Sequence, residues 1–151
     1  MVQDAPSRIL FVCLGNIIRS PLAEGVMRTL APDLHLDSAG TGGWHVGKPP
    51  HPGAIAAGAL RGYDISMLAA RRFDSEDFRD FDMIVTMDAE NLASVKRIQP
   101  QESVVPVTRL LDHAPETGVE DVPDPYYTGD FEPALDLIEA GCRGLLRDLG
   151  R

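Results

Sequence analysis

An apolar run, Ile9-Leu10-Phe11-Val12, leads straight into Cys13-Leu14-Gly15-Asn16-Ile17-Ile18-Arg19-Ser20-Pro21. No other stretch constrains the fold as much. Unbroken apolar residues before a Gly-Asn turn read as a strand buried on both faces, the kind found in parallel sheets covered by helices. Ser20 is a favourable N-cap and Pro21 suits the first helical position, so a helix is expected to start there. Strand, tight loop and helix in that order bring loop N–H groups, the positive end of a helix and the Arg19 guanidinium to one point. Such a point can wrap an oxyanion. The same field favours the thiolate of Cys13 and makes it a nucleophile.

The rest of the chain alternates in kind. Leu22, Val26 and Leu30 share a helical face that ends at Ala31-Pro32. Leu34 to Ala39 alternates and predicts a second, half-exposed strand. Pro52 to Arg61 predicts a helix closed by Gly62. Asp74-Ser75-Glu76-Asp77 starts a short acidic helical turn, and Met83 to Met87 is a third, buried strand. Asp88 caps a helix to about Ile98, which stops before Pro100. Val104-Val105-Pro106-Val107 predicts a fourth strand, placed at a sheet edge by its proline. Leu135, Ile138, Cys142, Leu145 and Leu149 recur at helical spacing and give a C-terminal amphipathic helix. Strands alternating with helices imply a three-layer α/β sandwich around a parallel sheet, with right-handed crossovers. In such sheets ligands sit beyond the carboxyl ends of the strands, where strand order reverses. The Cys13 loop leaves such an end.

Two loops remain. Gly40-Thr41-Gly42-Gly43-Trp44-His45-Val46-Gly47 holds the only tryptophan, and a tryptophan among glycines is expected to line a site. Asp112 to Asp130 is long, acidic and proline-rich, and contains Asp124-Pro125-Tyr126-Tyr127. Loops of that length in compact domains are mostly functional or disordered.

Length and charge narrow the function. A chain of 151 residues is read as one domain, 1–151. Its net charge of −9 argues against a nucleic-acid partner, which needs a basic face, yet leaves room for a small phosphorylated group at Arg19. No run reaches the length of a membrane span, so no membrane partner is expected. The first seven residues lack the basic and apolar regions of a signal peptide, and cytoplasm is the default location. Two distant cysteines give no disulfide framework. His35, His45, His51 and His113 show no metal-ligand spacing and are expected at the surface or in loops, with His45 near enough to Trp44 for a substrate rim. No metal and no cofactor is called for.

Cys13 to Pro21 resembles the signature of the low-molecular-weight protein tyrosine phosphatases. Ser38-Ala39-Gly40-Thr41, Trp44, Phe81-Asp82, Met87-Asp88 with Asn91-Leu92, and Asp124-Pro125-Tyr126-Tyr127 resemble the same family in the same order. The resemblance implies a four-stranded parallel sheet in the order 2-1-3-4 and a phosphotyrosine-containing protein as substrate. It also exposes two departures. Ile18 stands where the family commonly has a second cysteine that can pair with the nucleophile, and Leu68 stands where a histidine often supports the loop.

The chemistry can be assigned residue by residue. Cys13 attacks the phosphorus in line with the leaving oxygen. Amides of Leu14, Gly15, Asn16, Ile17, Ile18 and Arg19, with the two-pronged Arg19 side chain, receive the equatorial oxygens. A lysine would not match that planar geometry. Asp124 protonates the leaving phenoxide and later activates water, and Pro125 after it favours an extended conformation that aims its carboxyl. Ser20 can donate to the departing thiolate, Asn16 fixes the loop through a left-handed backbone, and Trp44, Tyr126 and Tyr127 form walls for a flat ring. Asp112, Glu120 and Asp121 compete with Asp124 but read as solvated charges, and Cys142 reads as core. Ile17 and the tyrosine pair favour phosphotyrosine over phosphoarginine, whose specific phosphatases tend to carry threonine at the position of Ile17. An arsenate reductase would need two further redox cysteines. An anion-binding phosphocarrier would not need both Arg19 and Asp124. Oligomeric state leaves no trace in the sequence.

Overall fold

The computed structural model describes residues 6–151; residues 1–5, and with them most of the segment read above for a leader, lie outside the described residues. Four strands, β1 (Arg8–Cys13), β2 (His35–Gly40), β3 (Met83–Thr86) and β4 (Val107–Arg109), form one sheet in the order β2-β1-β3-β4. All three pairings are parallel, with Cys13 opposite Gly40, Val12 opposite Thr86 and Thr86 opposite Arg109.

The apolar run of β1 divides itself between two cores because alternate side chains face opposite ways. Ile9, Phe11 and Cys13 join Met83 and Val85 against α1 (Arg19–Leu30), α2 (Pro52–Leu60) and α6 (Phe131–Asp148). Leu10 and Val12 join Ile84, Phe73, Phe78 and Val95 on the other face, beneath α3 (Asp77–Asp80) and α4 (Ala89–Arg97). These are the three layers expected. The C-terminal helix buries Leu135, Ile138, Cys142 and Leu145, and burial pushes the Cys142 thiol up from its ordinary value.

Several local expectations are corrected. Ser20 does not cap α1: the helix starts at Arg19 with Ile18 as N-cap and no side-chain cap, because the Ser20 hydroxyl turns toward Cys13. The fourth strand lies at the edge as expected but begins at Val107, three residues late. Pro106 instead lends its carbonyl to Ile84 N at 3.0 Å. The carboxyl end of β2 is buried rather than half-exposed, since Gly40 exchanges backbone hydrogen bonds with Arg71 and Phe73. The acidic turn does begin at Asp74, whose carbonyl accepts from Asp77 N at 3.1 Å, and it continues into α3, where Asp77 is buried against Arg71.

The long acidic loop, expected to be functional or disordered, is built from short turns. It contains 3-10 turns at Leu110–His113 and Pro115–Thr117, then α5 (Pro125–Thr128). Asp112, Glu120 and Asp121 are not simply solvated; each forms an ion pair with Arg109. His113 is buried instead of surface-lying, with Nε2 2.9 Å from Thr108 Oγ1 and Nδ1 2.7 Å from Asp148 Oδ2. Gly144 allows this approach: a Cβ there would sit 1.9 Å from the His113 carbonyl oxygen.

Candidate active site

Strand order reverses between β1 and β3, and the loops that leave these two strands flank the reversal point. The loop after β1 carries Cys13 to Ile18, and the residues after β3 are Met87 and Asp88. The loop after β1 opens on a cavity of about 310 Å³ lined by Cys13, Leu14, Gly15, Ile17, Ile18, Arg19, Trp44, His45, Asp124, Tyr126 and Tyr127.

Cys13 ends β1 and is almost fully buried. Its sulfur receives the Asn16 N–H at 3.2 Å and lies 3.0 Å from the Ser20 hydroxyl. Asn16 is the only non-glycine residue with a left-handed backbone among those described, φ 57°. A short amide side chain tolerates that conformation. The side chain then ties the loop on three sides: Nδ2 donates to Ser20 Oγ at 2.9 Å and Ser38 Oγ at 3.0 Å, and Oδ1 accepts from Arg71 N at 2.9 Å. Among the described residues, the amides of Gly15, Ile17 and Ile18 donate to no protein acceptor, which leaves them for an oxyanion.

The network continues away from the sulfur. Ser38 donates to Glu24 Oε1 at 2.7 Å, and Arg28 donates to Glu24 Oε2 at 2.6 Å. Burial raises the Glu24 carboxyl above the usual range, against the opposing pull of Ser38 and Arg28. Leu68, at the position where the family often has a histidine, packs against the larger core and adds no polar group here.

Arg19 is buried, with Nη1 2.8 Å from Asp88 Oδ2 and 2.9 Å from the Val122 carbonyl, and Nη2 3.5 Å from Asp124 Oδ2. Burial pulls its guanidinium down, but Cys13, Asp88 and Asp124 more than offset this and hold it above its ordinary value. Asp88, expected as a helix cap and as part of a motif resembling the family, has a second partner. It does cap α4, with Oδ1 accepting from Asn91 N at 2.8 Å, while its other oxygen holds Arg19. A cap signal has no second meaning in sequence; only its place beside Arg19 reveals the other role.

Asp124 arrives from the far side. Val122 is pinned by its N–H to Met87 O at 2.9 Å, and its carbonyl meets Arg19, so the chain is fixed two residues before the carboxylate. Asp124 is extended, as the following proline requires, and caps α5 through Oδ1 to Tyr126 N at 3.0 Å. Its Oδ2 is left facing Arg19. Tyr126 and Tyr127 meet edge to face at 5.3 Å, and with Trp44 they form an exposed aromatic rim.

The other sequence candidates lie apart from the sulfur. His45 reaches the cavity wall beside Gly15, and His51 caps α2 by accepting from Gly53 N at 2.9 Å. His35 stacks on Phe81 at the opposite end of β2. Cys142 lies in the core, 3.8 Å from the Ala23 carbonyl.

A family profile described as "Low molecular weight phosphotyrosine protein phosphatase" matches residues 8–151. The chain belongs to that family. The low molecular weight protein-tyrosine-phosphatase YfkJ of Bacillus subtilis is 44% identical over 147 residues, covering 93% of this chain and 94% of YfkJ. A low molecular weight protein-tyrosine-phosphatase of Streptomyces coelicolor is also 44% identical, over 150 residues, covering 92% and 91% of the two chains. The crystal structure of YfkJ superposes with a TM-score of 0.90 at 41% identity, covering 99% of this chain and 98% of that one. This low molecular weight phosphatase has no described helix long and apolar enough to cross a membrane. Among its described residues, no group of three or more His, Cys, Asp or Glu is arranged to hold a metal ion.

Proposed function

We propose that this chain, working as a single phosphatase domain over residues 1–151 in the cytoplasm, hydrolyses phosphotyrosine in proteins through a cysteinyl phosphate on Cys13. The observation that carries the reading is the convergence of Cys13 and Arg19, from the loop after β1, and Asp124, from a distant part of the chain, on one aromatic-rimmed cavity. Each group answers one requirement of the chemistry. The thiolate attacks phosphorus; the free loop amides of Gly15, Ile17 and Ile18 and the Arg19 fork take the charge on the three equatorial oxygens. Arg19 enters this role already oriented by Asp88 and the Val122 carbonyl.

Asp124 then gives a proton to the phenoxide as the P–O bond breaks. A phenol has a pKa of about 10, so general acid help is worth a factor of roughly 10² to 10⁴. In the second step Asp124 takes a proton from water as it attacks the phosphocysteine. The sulfur leaves as a thiolate within reach of the Ser20 hydroxyl. Trp44, Tyr126 and Tyr127 receive the substrate ring between them.

The test is turnover of p-nitrophenyl phosphate and of phosphotyrosine, phosphoserine and phosphoarginine peptides without added metal. The parent is expected to favour phosphotyrosine, Cys13→Ser to be inactive, and Asp124→Asn to be most impaired on substrates with poor leaving groups. Retained turnover in Cys13→Ser sinks the mechanism, and preference for phosphoarginine overturns the substrate.

A further inference from the structure

The wall formed by Trp44 has a second side. Behind it lies another cavity, of about 350 Å³, which shares Leu14 and Trp44 with the catalytic one and is lined further by Arg72, Ser94 and Arg97. The Trp44 ring packs against Gly42, where a Cβ would come within 1.9 Å of ring carbon Cζ3, so the place of the partition between the two cavities depends on a residue without a side chain.

What distinguishes this cavity is its charge. The chain has 23 acidic residues against 14 lysines and arginines, and its arginines are largely neutralised. Nine of the twelve form an ion pair among the described residues. Arg72, Arg97 and Arg143 do not, and two of these three line the same cavity. Arg72 comes from the segment that follows β2's partner Arg71, and Arg97 from the last turn of α4, one turn beyond Ser94. Two uncompensated guanidinium groups from separate elements thus stand next to the site in a protein whose net charge repels anions.

We propose that this cavity is a subsite for a carboxylate side chain of the substrate protein, next to the phosphotyrosine in its sequence. The proposal rests on the phosphotyrosine reading and specifies the substrate class: acidic segments. An extended peptide advances about 3.3 Å per residue, so a side chain two or three places from the phosphotyrosine passes the Trp44 ring and reaches the arginines. Guanidinium groups match a carboxylate with paired donors, and Ser94 adds a hydroxyl beside them.

The experiment compares three phosphotyrosine peptides that differ only at the second and third places on either side, carrying Asp, Ala or Lys. The enzymes are the parent, R72A/R97A and R72E/R97E, with p-nitrophenyl phosphate as the substrate that does not extend past Trp44. In the parent, kcat/KM for the Asp peptide should exceed that for the Ala peptide by about 3- to 10-fold at low salt, and the preference should shrink as salt rises. R72A/R97A should lose the preference while keeping p-nitrophenyl phosphate turnover within about twofold, and R72E/R97E should turn to the Lys peptide. Equal turnover of Asp and Ala peptides by an active parent overturns the subsite alone. So does an equal loss on p-nitrophenyl phosphate in R72A/R97A. A parent inactive on every phosphotyrosine substrate removes the phosphatase reading and the subsite with it.

Discussion

Nη1 of Arg19 lies 2.8 Å from Oδ2 of Asp88, while the other oxygen of that carboxylate caps α4. One side chain therefore anchors both the phosphate-facing arginine and the helix after β3. The two duties can be separated by substitution. Asp88→Asn keeps an oxygen for the cap, because asparagine is as good an N-cap as aspartate, but it removes the charge that orients Arg19. We expect kcat/KM on p-nitrophenyl phosphate to fall about 10- to 100-fold, the scale of a charged hydrogen bond. Asp88→Ala should be as slow and about 1 kcal/mol less stable than Asp88→Asn in urea unfolding, for the lost cap. Normal kinetics in Asp88→Asn would show that Arg19 needs no such anchor.

Glu24 introduces a pH dependence. Its carboxyl is raised mainly by burial, so in the window above the ordinary glutamate value the folded chain binds more protons at this position than the unfolded chain does. Stability from this group is fully present below the unfolded value and is lost as pH rises through the folded one. Glu24→Gln removes the titration while keeping an oxygen for Ser38 and shape for the core. The stability of Glu24→Gln relative to the parent should therefore rise as pH climbs above the ordinary glutamate value, as measured by urea unfolding at a series of pH values. A difference that stays flat with pH would rule Glu24 out as the source.

Much of this was legible in sequence because single residues carry unambiguous local physics. Ile9 to Val12, closed by a Gly-Asn turn, favours a doubly buried strand, Pro125 favours an extended Asp124, and Asn16 tolerates the left-handed turn that it adopts. What escaped depends on partners far away in the chain. Ser20 looks like a cap until Cys13 and Asn16 compete for its hydroxyl. Asp88 has local physics only for a cap until Arg19 arrives. The order of the acidic loop escaped because it comes from Arg109 and from the Val122 pin to Met87, and neither has a periodic signature. The fourth strand shifted because its pairing with β3, not its own composition, selects Val107 to Arg109.

Trp44 offers a test of the rim that leaves the reacting groups untouched. Its ring rests on Gly42, so Gly42→Ala must push the ring away. The displaced wall should raise KM for phosphotyrosine peptides several-fold, with a smaller effect on kcat, because the groups that act in the transition state stay in place. Trp44→Ala should give a similar KM, and Gly42→Ala on top of Trp44→Ala should add little. Additive effects in that double variant would mean that Gly42 acts through the loop backbone rather than through Trp44.

The remaining prediction concerns oxidation. Ile18 is buried beside the nucleophile where a second thiol commonly stands in this family, and the chain's other thiol, Cys142, is enclosed between α6 and the Ala23 carbonyl. A sulfenic acid formed on Cys13 therefore has no neighbouring thiol with which to condense, and further peroxide carries it to sulfinic acid, which thiols do not reduce. After prolonged peroxide exposure and then dithiothreitol, the parent should recover little activity, with a gain of two oxygens on the Cys13 peptide by mass spectrometry. Ile18→Cys should instead form a disulfide with Cys13, lose two hydrogens, and regain most of its activity on reduction. Each sulfur then ends in the state its neighbour allows: over-oxidised beside isoleucine, bridged beside cysteine. Full recovery of the parent would mean that some other group, such as the Asn16 amide that already reaches the sulfur at 3.2 Å, traps the sulfenic acid reversibly.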